Sequence, residues 1–214
     1  MHTHGTRSQG PIPPFMSTQP NPPGEMRLYD SAGKRLYINA AERARFVAVA
    51  LTAPLPQASF ALTLLYTGCR ISEAVELSLG SLQLETQLVT YRTLKRRKTT
   101  TYREVPIPLD LVQLLQEQRG NRRTLSDPLW LKAGTPINRS TGYRWIKAIM
   151  EVADITGPCA CPKGLRHGFA IHALQSGVPL NMVQKWLGHA NIETTAIYGN
   201  ASGKEELVLA GRMW

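Results

Sequence analysis

Residues 161–198 read CPKGLRHGFAIHALQSGVPLNMVQKWLGHANIETTAIY, and this is the most informative stretch of the chain. It places Arg166 on an apolar helix pattern, His189 directly after Gly188, and Tyr198 nine residues further on. An arginine can hold a phosphate through two parallel hydrogen bonds, and a tyrosine hydroxyl can act as a covalent nucleophile. A histidine can orient groups or exchange protons. The combination predicts a site that grips a phosphodiester and attacks it, leaving a phosphotyrosine.

The overall charge favours a polyanion as the binding partner. The 214 residues carry a formal net charge of +10 and the pI is about 9.9. Nucleic acid is the commonest partner of so basic a chain, although a basic surface that only maintains solubility is the alternative interpretation. The hydrophobic fraction of 43% is sufficient for a packed core.

The cysteine count and the hydropathy pattern exclude several classes of protein. Cys69, Cys159 and Cys161 are sparse and odd in number, which argues against a disulfide framework and indicates a reducing compartment. The Cys159-x-Cys161 spacing does not match a zinc finger, so no metal site is predicted. No apolar run approaches the ~18 residues of a membrane helix, and the N-terminus lacks a signal pattern. We therefore expect a cytoplasmic protein with no cofactor and no membrane partner.

The chain divides into three segments by composition. Residues 1–26 are polar and proline-rich and are predicted to be a disordered tail. Residues 27–200 hold helix and strand patterns, and residues 201–214 form a C-terminal tail that ends in apolar side chains. Periodicity and capping residues predict helices over residues 40–51, 57–67, 71–79, 109–119, 138–153, 163–176 and 180–187, with one short turn around Tyr198.

A different pattern separates the third and fourth predicted helices. Residues 82–91 and 99–107 are rich in β-branched and aromatic residues in near alternation, which predicts two or three short antiparallel strands. Residues 121–135 are predicted to be a loop. The sequence therefore predicts an α+β fold that is mainly helical with one small antiparallel sheet.

The turn between the last two predicted strands is strongly basic. Residues 92–103, which include this turn and the start of the following strand, contain six cations and no acid, and on a β-hairpin they would project as a basic finger that contacts DNA. A solvated edge that protects the sheet from pairing is the alternative. The six residues are Arg92, Lys95, Arg96, Arg97, Lys98 and Arg103.

Arg70 is a second candidate for binding a phosphate. It follows Gly68, which ends one predicted helix, and it opens the next helix, where backbone N–H groups also favour an anion. Glu73 lies one turn further on and could hold the Arg70 guanidinium in place. An ordinary surface ion pair is the alternative interpretation.

The predicted helix over residues 163–176 carries further charged groups. Lys163 and Arg166 are three residues apart, so both can reach one phosphate. His167 and His172 lie on the same helix and are predicted to be structural or to face solvent, since most isolated helix histidines do.

Three segments resemble the conserved boxes of the tyrosine recombinase (phage integrase) family, and the likeness covers roughly residues 39–200. These segments are TGCRISE at 67–73, CPKGLRHGFAIHAL at 161–174 and LGHANIETTAIYG at 187–199. The resemblance implies that Arg70, Arg166 and His189 are catalytic and that Tyr198 is the nucleophile. The family usually has a histidine where this chain has Lys163, and the resemblance implies that Lys163 is catalytic there and assists at the phosphate or at the nucleophile.

The family also carries a catalytic lysine on a β-hairpin, eight residues before the proline that closes the next strand. Counting back from Pro106 gives Lys98, and Lys95 is the alternative because hairpin loops vary in length. Family members usually have an N-terminal helical domain that completes a clamp around DNA. Here only the proline-rich tail precedes the catalytic part, so the length is similar to that of the short fimbrial-switch invertases.

The resemblance implies a site-specific recombinase of double-stranded DNA. Tyr198 would form a 3′-phosphotyrosyl bond, and Lys98 would protonate the leaving 5′-oxygen. No metal or ATP is required. Four protomers would assemble on DNA, accessory DNA-bending proteins are conceivable, and the C-terminal tail would be exchanged between protomers. The protein would be DNA-associated in a bacterial cell. Two alternatives stay open: a DNA-binding regulator with the recombinase fold but no strand exchange, and a type IB-like topoisomerase.

Overall fold

The computed structural model of the chain describes residues 27–93 and 101–201. The predicted N-terminal tail and the C-terminal segment 202–214 lie outside these ranges. So does the hairpin turn, residues 94–100, which contains four of the six predicted hairpin cations. The three-segment division of the chain therefore stays a prediction.

Helices make up most of the described structure. The α-helices are α1 (Ala40–Thr52), α2 (Leu55–Thr67), α3 (Ile71–Val75), α4 (Leu109–Arg119), α5 (Arg139–Val152), α6 (Pro162–Gln175), α7 (Leu180–Leu187) and α8 (Glu193–Ala196). Short 3-10 helices cover Leu79–Ser81 and Ile197–Ala201. The strands are β1 (Leu82–Gln83), β2 (Leu88–Thr93), β3 (Thr101–Pro106), β4 (Leu131–Lys132) and β5 (Thr135–Pro136). The predicted mainly helical α+β class is confirmed.

Local capping explains why several helix ends were predictable. The Asn39 side chain accepts a hydrogen bond from the Glu42 amide at 2.8 Å, and the Glu42 carboxylate accepts one from the Asn39 amide at 2.8 Å. This reciprocal capping box fixes the start of α1. Gly68 ends α2 with φ of 61°, and a Cβ at that position would lie 2.3 Å from a ring carbon of Phe169. Only glycine satisfies both conditions.

The strands form two small antiparallel sheets. The first has the order β1-β2-β3, and its register pairs Val89 with Val105 and Tyr91 with Arg103. The second sheet pairs β4 with β5 and lies mostly inside residues 121–135, which were predicted to be loop. That prediction was wrong because strands of two residues are too short to show an alternating pattern.

Helix α2 lies at the centre of the main core. It contacts α1, α4, α5 and α6, and most of its side chains are buried, as its continuous apolar run predicted. Phe60 packs edge-to-face against Trp130 and Trp145, with ring centroids 5.4 and 5.8 Å apart. A second buried cluster joins α6, α7 and the segment around Tyr198. Within the described ranges, no helix has the length and apolarity to cross a bilayer.

Candidate active site

Helix α6 delivers Arg166 to the junction of the two buried clusters. Its side chain is 6% exposed, and it donates to the Gly68 carbonyl at 2.7 Å and to the Leu187 carbonyl at 2.8 Å. These carbonyls lie at the C-terminal ends of α2 and α7, where helix dipoles favour a cation. Burial, followed by repulsion from Arg70, lowers the pKa of Arg166 to about 10. The guanidinium therefore stays charged at neutral pH and is fixed in position.

Arg70 lies at the start of α3, as predicted, and its contacts with Glu73 hold it there. The Glu73 carboxylate accepts hydrogen bonds from the Arg70 backbone amide at 2.7 Å and from the Arg70 guanidinium at 2.9 Å. Glu73 is 3% exposed. Burial raises the pKa of its carboxyl, but the ion pairs with Arg103 and Arg70 outweigh burial and leave that pKa below its usual value. Glu73 is therefore an ionised support for Arg70 and not a surface partner.

Arg103 does not project toward solvent, and the prediction that it contacts DNA was wrong. Its side chain is 6% exposed and its guanidinium donates to both carboxylate oxygens of Glu73, at 3.1 and 2.7 Å. Its Nε donates to the Trp186 carbonyl at 2.7 Å. The guanidinium also lies 5.0 Å from the Tyr91 ring centroid. Arg103 stands on the inward face of β3, and each of its three guanidinium nitrogens donates to a group within the protein.

The predicted phosphate-binding cations meet at one cavity of about 430 Å³. Arg70, Lys163 and Arg166 all line it, and no carboxylate is among its described lining residues. Arg139 and Tyr143 also line it, from the first turns of α5. Sequence reasoning missed these two, although their spacing of four residues after the cap Asn138 places them on one helix face. The cavity is suited to a phosphate anion, since three of the predicted catalytic groups converge on it.

His189 lies beside the nucleophile candidate and not in this cavity. Gly188 ends α7 with φ of 65°, and the turn directs His189 inward, where it is 8% exposed. Its Nδ1 is 2.9 Å from the Thr195 hydroxyl oxygen. Its ring stacks on Tyr198 with centroids 6.4 Å apart and an interplanar angle of 14°.

Tyr198 is buried and its hydroxyl is engaged inside the protein. The side chain is 1% exposed and belongs to the cluster that contains Phe169, Val183 and Leu187. Burial raises the pKa of Tyr198 to about 12, although Arg166 and Arg70 act in the opposite direction. In this conformation the effect of burial therefore outweighs that of the neighbouring cations. Tyr198, the nucleophile candidate, is therefore neutral, and it is not among the described residues that line the cation cavity.

His167 connects Tyr198 to the cavity. Its Nδ1 is 2.9 Å from the Tyr198 hydroxyl oxygen, and its ring also lines the cation cavity. It is fully buried, which excludes the solvent-facing interpretation, and burial followed by Lys163 and Arg166 lowers its pKa to about 3. Its Nε2 has no hydrogen-bond partner among the described residues. Sequence reasoning missed the contact with Tyr198; the available signal was the position of His167 directly after Arg166.

The hairpin residues are only partly described. Arg92 is exposed on β2, as expected for a group that contacts DNA. Lys95, Arg96, Arg97 and Lys98 lie outside the described residues, so their predicted roles stay predictions.

Curated relatives of the chain are tyrosine recombinases. The chain is 34% identical over 148 residues to tyrosine recombinase XerD of Bifidobacterium longum, which covers 64% of this chain and 46% of the relative. It is 31% identical over 202 residues to XerD of Brucella abortus, which covers 91% of this chain and 61% of the relative. The chain thus spans about half to three-fifths of the length of these relatives.

Solved structures agree with the sequence relatives. A crystal structure of XerA recombinase superposes with a TM-score of 0.71 at 25% identity, covering 83% of this chain and 64% of that one. XerH site-specific recombinase bound to a palindromic difH substrate, a post-cleavage complex, gives a TM-score of 0.70 at 25% identity. That match covers 86% of this chain and 55% of XerH. The sequence model of the phage integrase family matches residues 36–205. The chain therefore belongs to the phage integrase family.

Proposed function

We propose that this chain is the catalytic part of a site-specific recombinase that cleaves and rejoins double-stranded DNA through a 3′-phosphotyrosyl intermediate. The observation that carries the proposal is the convergence of Arg70, Lys163 and Arg166 on one cavity, with Tyr198 reached from it through His167. The XerD relatives and the XerH complex support it.

In the proposed reaction, the Tyr198 hydroxyl releases its proton to solvent, its oxygen bonds to the scissile phosphorus and the bond to the 5′-oxygen breaks. Arg70 and Arg166 stabilise charge on the non-bridging oxygens, where fixed donors have the largest effect on rate. His189 would donate to the same oxygens once a phosphate is bound. Lys98 supplies the proton for the leaving 5′-oxygen, and Lys163 assists at the phosphate or at the nucleophile. Rejoining reverses these steps, so no external energy source is consumed.

The proposed partners follow from the same chemistry. Strand exchange joins two duplexes, so four protomers and double-stranded DNA form the active assembly. Arg92 and the remaining hairpin cations would follow the DNA backbone. An exchanged C-terminal tail and accessory DNA-bending proteins belong to this proposal, and the tail falls outside the described residues.

Covalent capture tests the proposed reaction. A pool of nicked duplexes with randomised and gene-flanking sequence is incubated with the chain, and adducts are separated on denaturing gels. The wild-type chain should shift a DNA band, and Tyr198→Phe should not, because only the hydroxyl is lost. Tyr143→Phe is the matched control, since it removes a hydroxyl from the lining of the same cavity and should keep the adduct. A Tyr198→Phe adduct would exclude Tyr198 as the nucleophile.

The same experiment distinguishes the alternatives. Joining of one duplex to another by the wild-type adduct indicates recombination. Relaxation of supercoiled DNA without such joining indicates a topoisomerase. DNA binding with no adduct from any duplex in the pool indicates a regulator and contradicts the proposed function.

A further inference from the structure

Arg103 joins three parts of the chain whose relative positions matter for the proposed reaction. It extends from β3, the strand that follows residues 94–100. Its Nη atoms donate to Glu73 in the first turn of α3, and its Nε donates to the Trp186 carbonyl near the end of α7. The hairpin, the Arg70 segment and the His189 segment therefore meet at one guanidinium.

The geometry of this junction requires an arginine. The guanidinium makes two parallel bonds to a buried carboxylate and keeps its third direction for a backbone carbonyl, which a lysine ammonium cannot reproduce. The guanidinium carbon also lies 5.0 Å from the centroid of the Tyr91 ring. Gly188 leaves room for it, because a Cβ at that position would lie 3.1–3.2 Å from three Arg103 atoms. A glycine of the third conserved box thus packs directly on an arginine of the hairpin.

Glu73 transmits the position of Arg103 to Arg70. The same Glu73 oxygen accepts from the Arg103 and the Arg70 guanidinium, at 3.1 and 2.9 Å. The other oxygen accepts from Arg103 and from the Arg70 amide, at 2.7 Å each. Any displacement of Arg103 therefore moves the carboxylate that orients Arg70.

We infer that Arg103 is a positioning residue for catalysis, which acts through Glu73 on Arg70 and through the Trp186 carbonyl on the His189 turn. This inference rests on the proposed recombinase function. It assigns Arg103 no contact with DNA, since its donors are used within the protein. Its loss should affect the rate of cleavage and leave the affinity for DNA nearly unchanged.

Glu73 gives the inference a pH signature. Burial raises the pKa of the Glu73 carboxyl, and Arg103 is the largest opposing influence. The groups that face this carboxylate are Arg70 from its own helix, Arg103 from β3, Arg166 from α6 and Cys69 from the preceding turn. Removing Arg103 leaves burial less opposed, so the pKa of Glu73 should rise. Protonated Glu73 holds Arg70 less firmly, and cleavage should then weaken as the pH falls.

The test measures single-turnover cleavage at saturating protein, between pH 5 and 8, on a duplex that the wild-type chain cleaves. Arg103→Met should cleave at least ~10-fold more slowly at pH 7.5, since small misplacements of catalytic groups cost up to ~100-fold. It should also lose rate progressively toward pH 5, relative to the wild-type profile. Arg103→Lys should be slowed but should follow the wild-type pH profile, because the charge beside Glu73 remains. DNA affinity should change less than ~3-fold in both variants.

The chain offers a matched control in the Arg35–Glu42 pair. Glu42 caps α1 as Glu73 caps α3, and the Arg35 guanidinium donates to both of its carboxylate oxygens. Arg35→Met removes an ion pair of the same chemistry, although a more exposed one, away from the described cavity, so it should cleave at the wild-type rate with the wild-type pH profile.

The outcomes separate the inference from the proposed function. If Arg103→Met is folded and its rate and pH profile match the wild type, the positioning role is wrong. If that variant does not fold, Arg103→Lys decides: cleavage at the wild-type rate at every pH overturns the inference, and slowed cleavage at unchanged affinity supports it. If Arg35→Met slows cleavage as much as Arg103→Met does, the slowing reflects general destabilisation, and the inference about Arg103 is also overturned. A wild-type chain that forms no adduct contradicts the proposed function instead.

Discussion

His167 should make the folded chain sensitive to acid in a way that can be calculated. Its pKa is lowered from 6.5 to about 3 by burial and by Lys163 and Arg166, so the imidazole is neutral in the folded state. Protonation of a histidine whose pKa is lower in the folded state does not stabilise the fold. Below pH 6.5 the unfolded chain binds a proton at this imidazole and the folded chain does not, so the free energy of unfolding falls as the pH drops. The loss ends near pH 3, where the folded state also binds the proton.

The magnitude at pH 5 follows from these pKa values. A pH of 5 lies 1.5 pH units below the pKa of 6.5 of the unfolded imidazole, and each pH unit corresponds to about 1.36 kcal/mol. The free energy of unfolding should therefore fall by about 2 kcal/mol between pH 7.5 and pH 5. Other groups titrate in the same interval. The His167 contribution is therefore measured as the difference between the wild type and a variant that cannot titrate at this position.

Urea unfolding followed by tryptophan fluorescence provides the measurement. His167→Asn places an amide near the position of Nδ1, so it keeps a polar group beside Tyr198 but does not titrate. Its free energy of unfolding should lose about 2 kcal/mol less than the wild type on going from pH 7.5 to pH 5. His172→Asn on the same helix is the comparison variant: burial and Arg43 also lower the pKa of His172, but less than that of His167, so this variant should recover less of the stability lost at pH 5. The reasoning is refuted if wild type and His167→Asn show parallel pH dependence.

Three further predictions concern the proposed reaction. Arg70→Ala and Arg166→Ala should each slow covalent cleavage at least ~100-fold in the covalent-capture assay with nicked duplexes, while DNA binding falls far less; near wild-type cleavage would exclude that arginine from the site. Lys98→Ala should be rescued by a 5′-bridging phosphorothioate, whose leaving group needs no proton, and rescue of Lys95→Ala instead would identify Lys95 as the general acid. DNA affinity, measured by anisotropy against salt, should fall with a log–log slope of about −0.9 for each neutralised phosphate, and a slope near zero would contradict the electrostatic interpretation.

Features set by neighbouring residues were the most predictable from sequence. The capping box of Asn39 and Glu42, and the left-handed Gly68, act within one helical turn, so the ends they fix could be predicted without the tertiary structure. The same holds for the position of Arg70 at a helix start. The spacing of Lys163 and Arg166 on one helix was a local signal that both reach one phosphate, whereas their convergence with Arg70 was expected from the family resemblance.

Arg103 shows how a local signal can be present and still be outweighed. In β3 and the residue after it, Arg103, Val105 and Ile107 are buried while Tyr102 and Glu104 are exposed. This alternation places Arg103 on the inner face, but a cation in a basic segment suggested the surface. The inner position is stable only because Glu73, thirty residues earlier, supplies a buried carboxylate. That pairing depends on tertiary structure, and no pattern within the strand indicates it.

The contact between His167 and Tyr198 determines what must change before the proposed attack by Tyr198. Their pKa values of about 3 and about 12 differ by nine units, so moving the tyrosine proton to His167 in this conformation would cost roughly 12 kcal/mol. His167 is therefore unsuitable as the base for Tyr198 in this conformation. Burial is the largest cause of the raised Tyr198 pKa, whereas Arg166 and Arg70 lower it. Movement of Tyr198 into the cation cavity would end its burial and bring it closer to Arg166 and Arg70, and both changes would lower its pKa. In the proposed reaction, the movement that brings Tyr198 to the phosphate would therefore also activate it as a nucleophile.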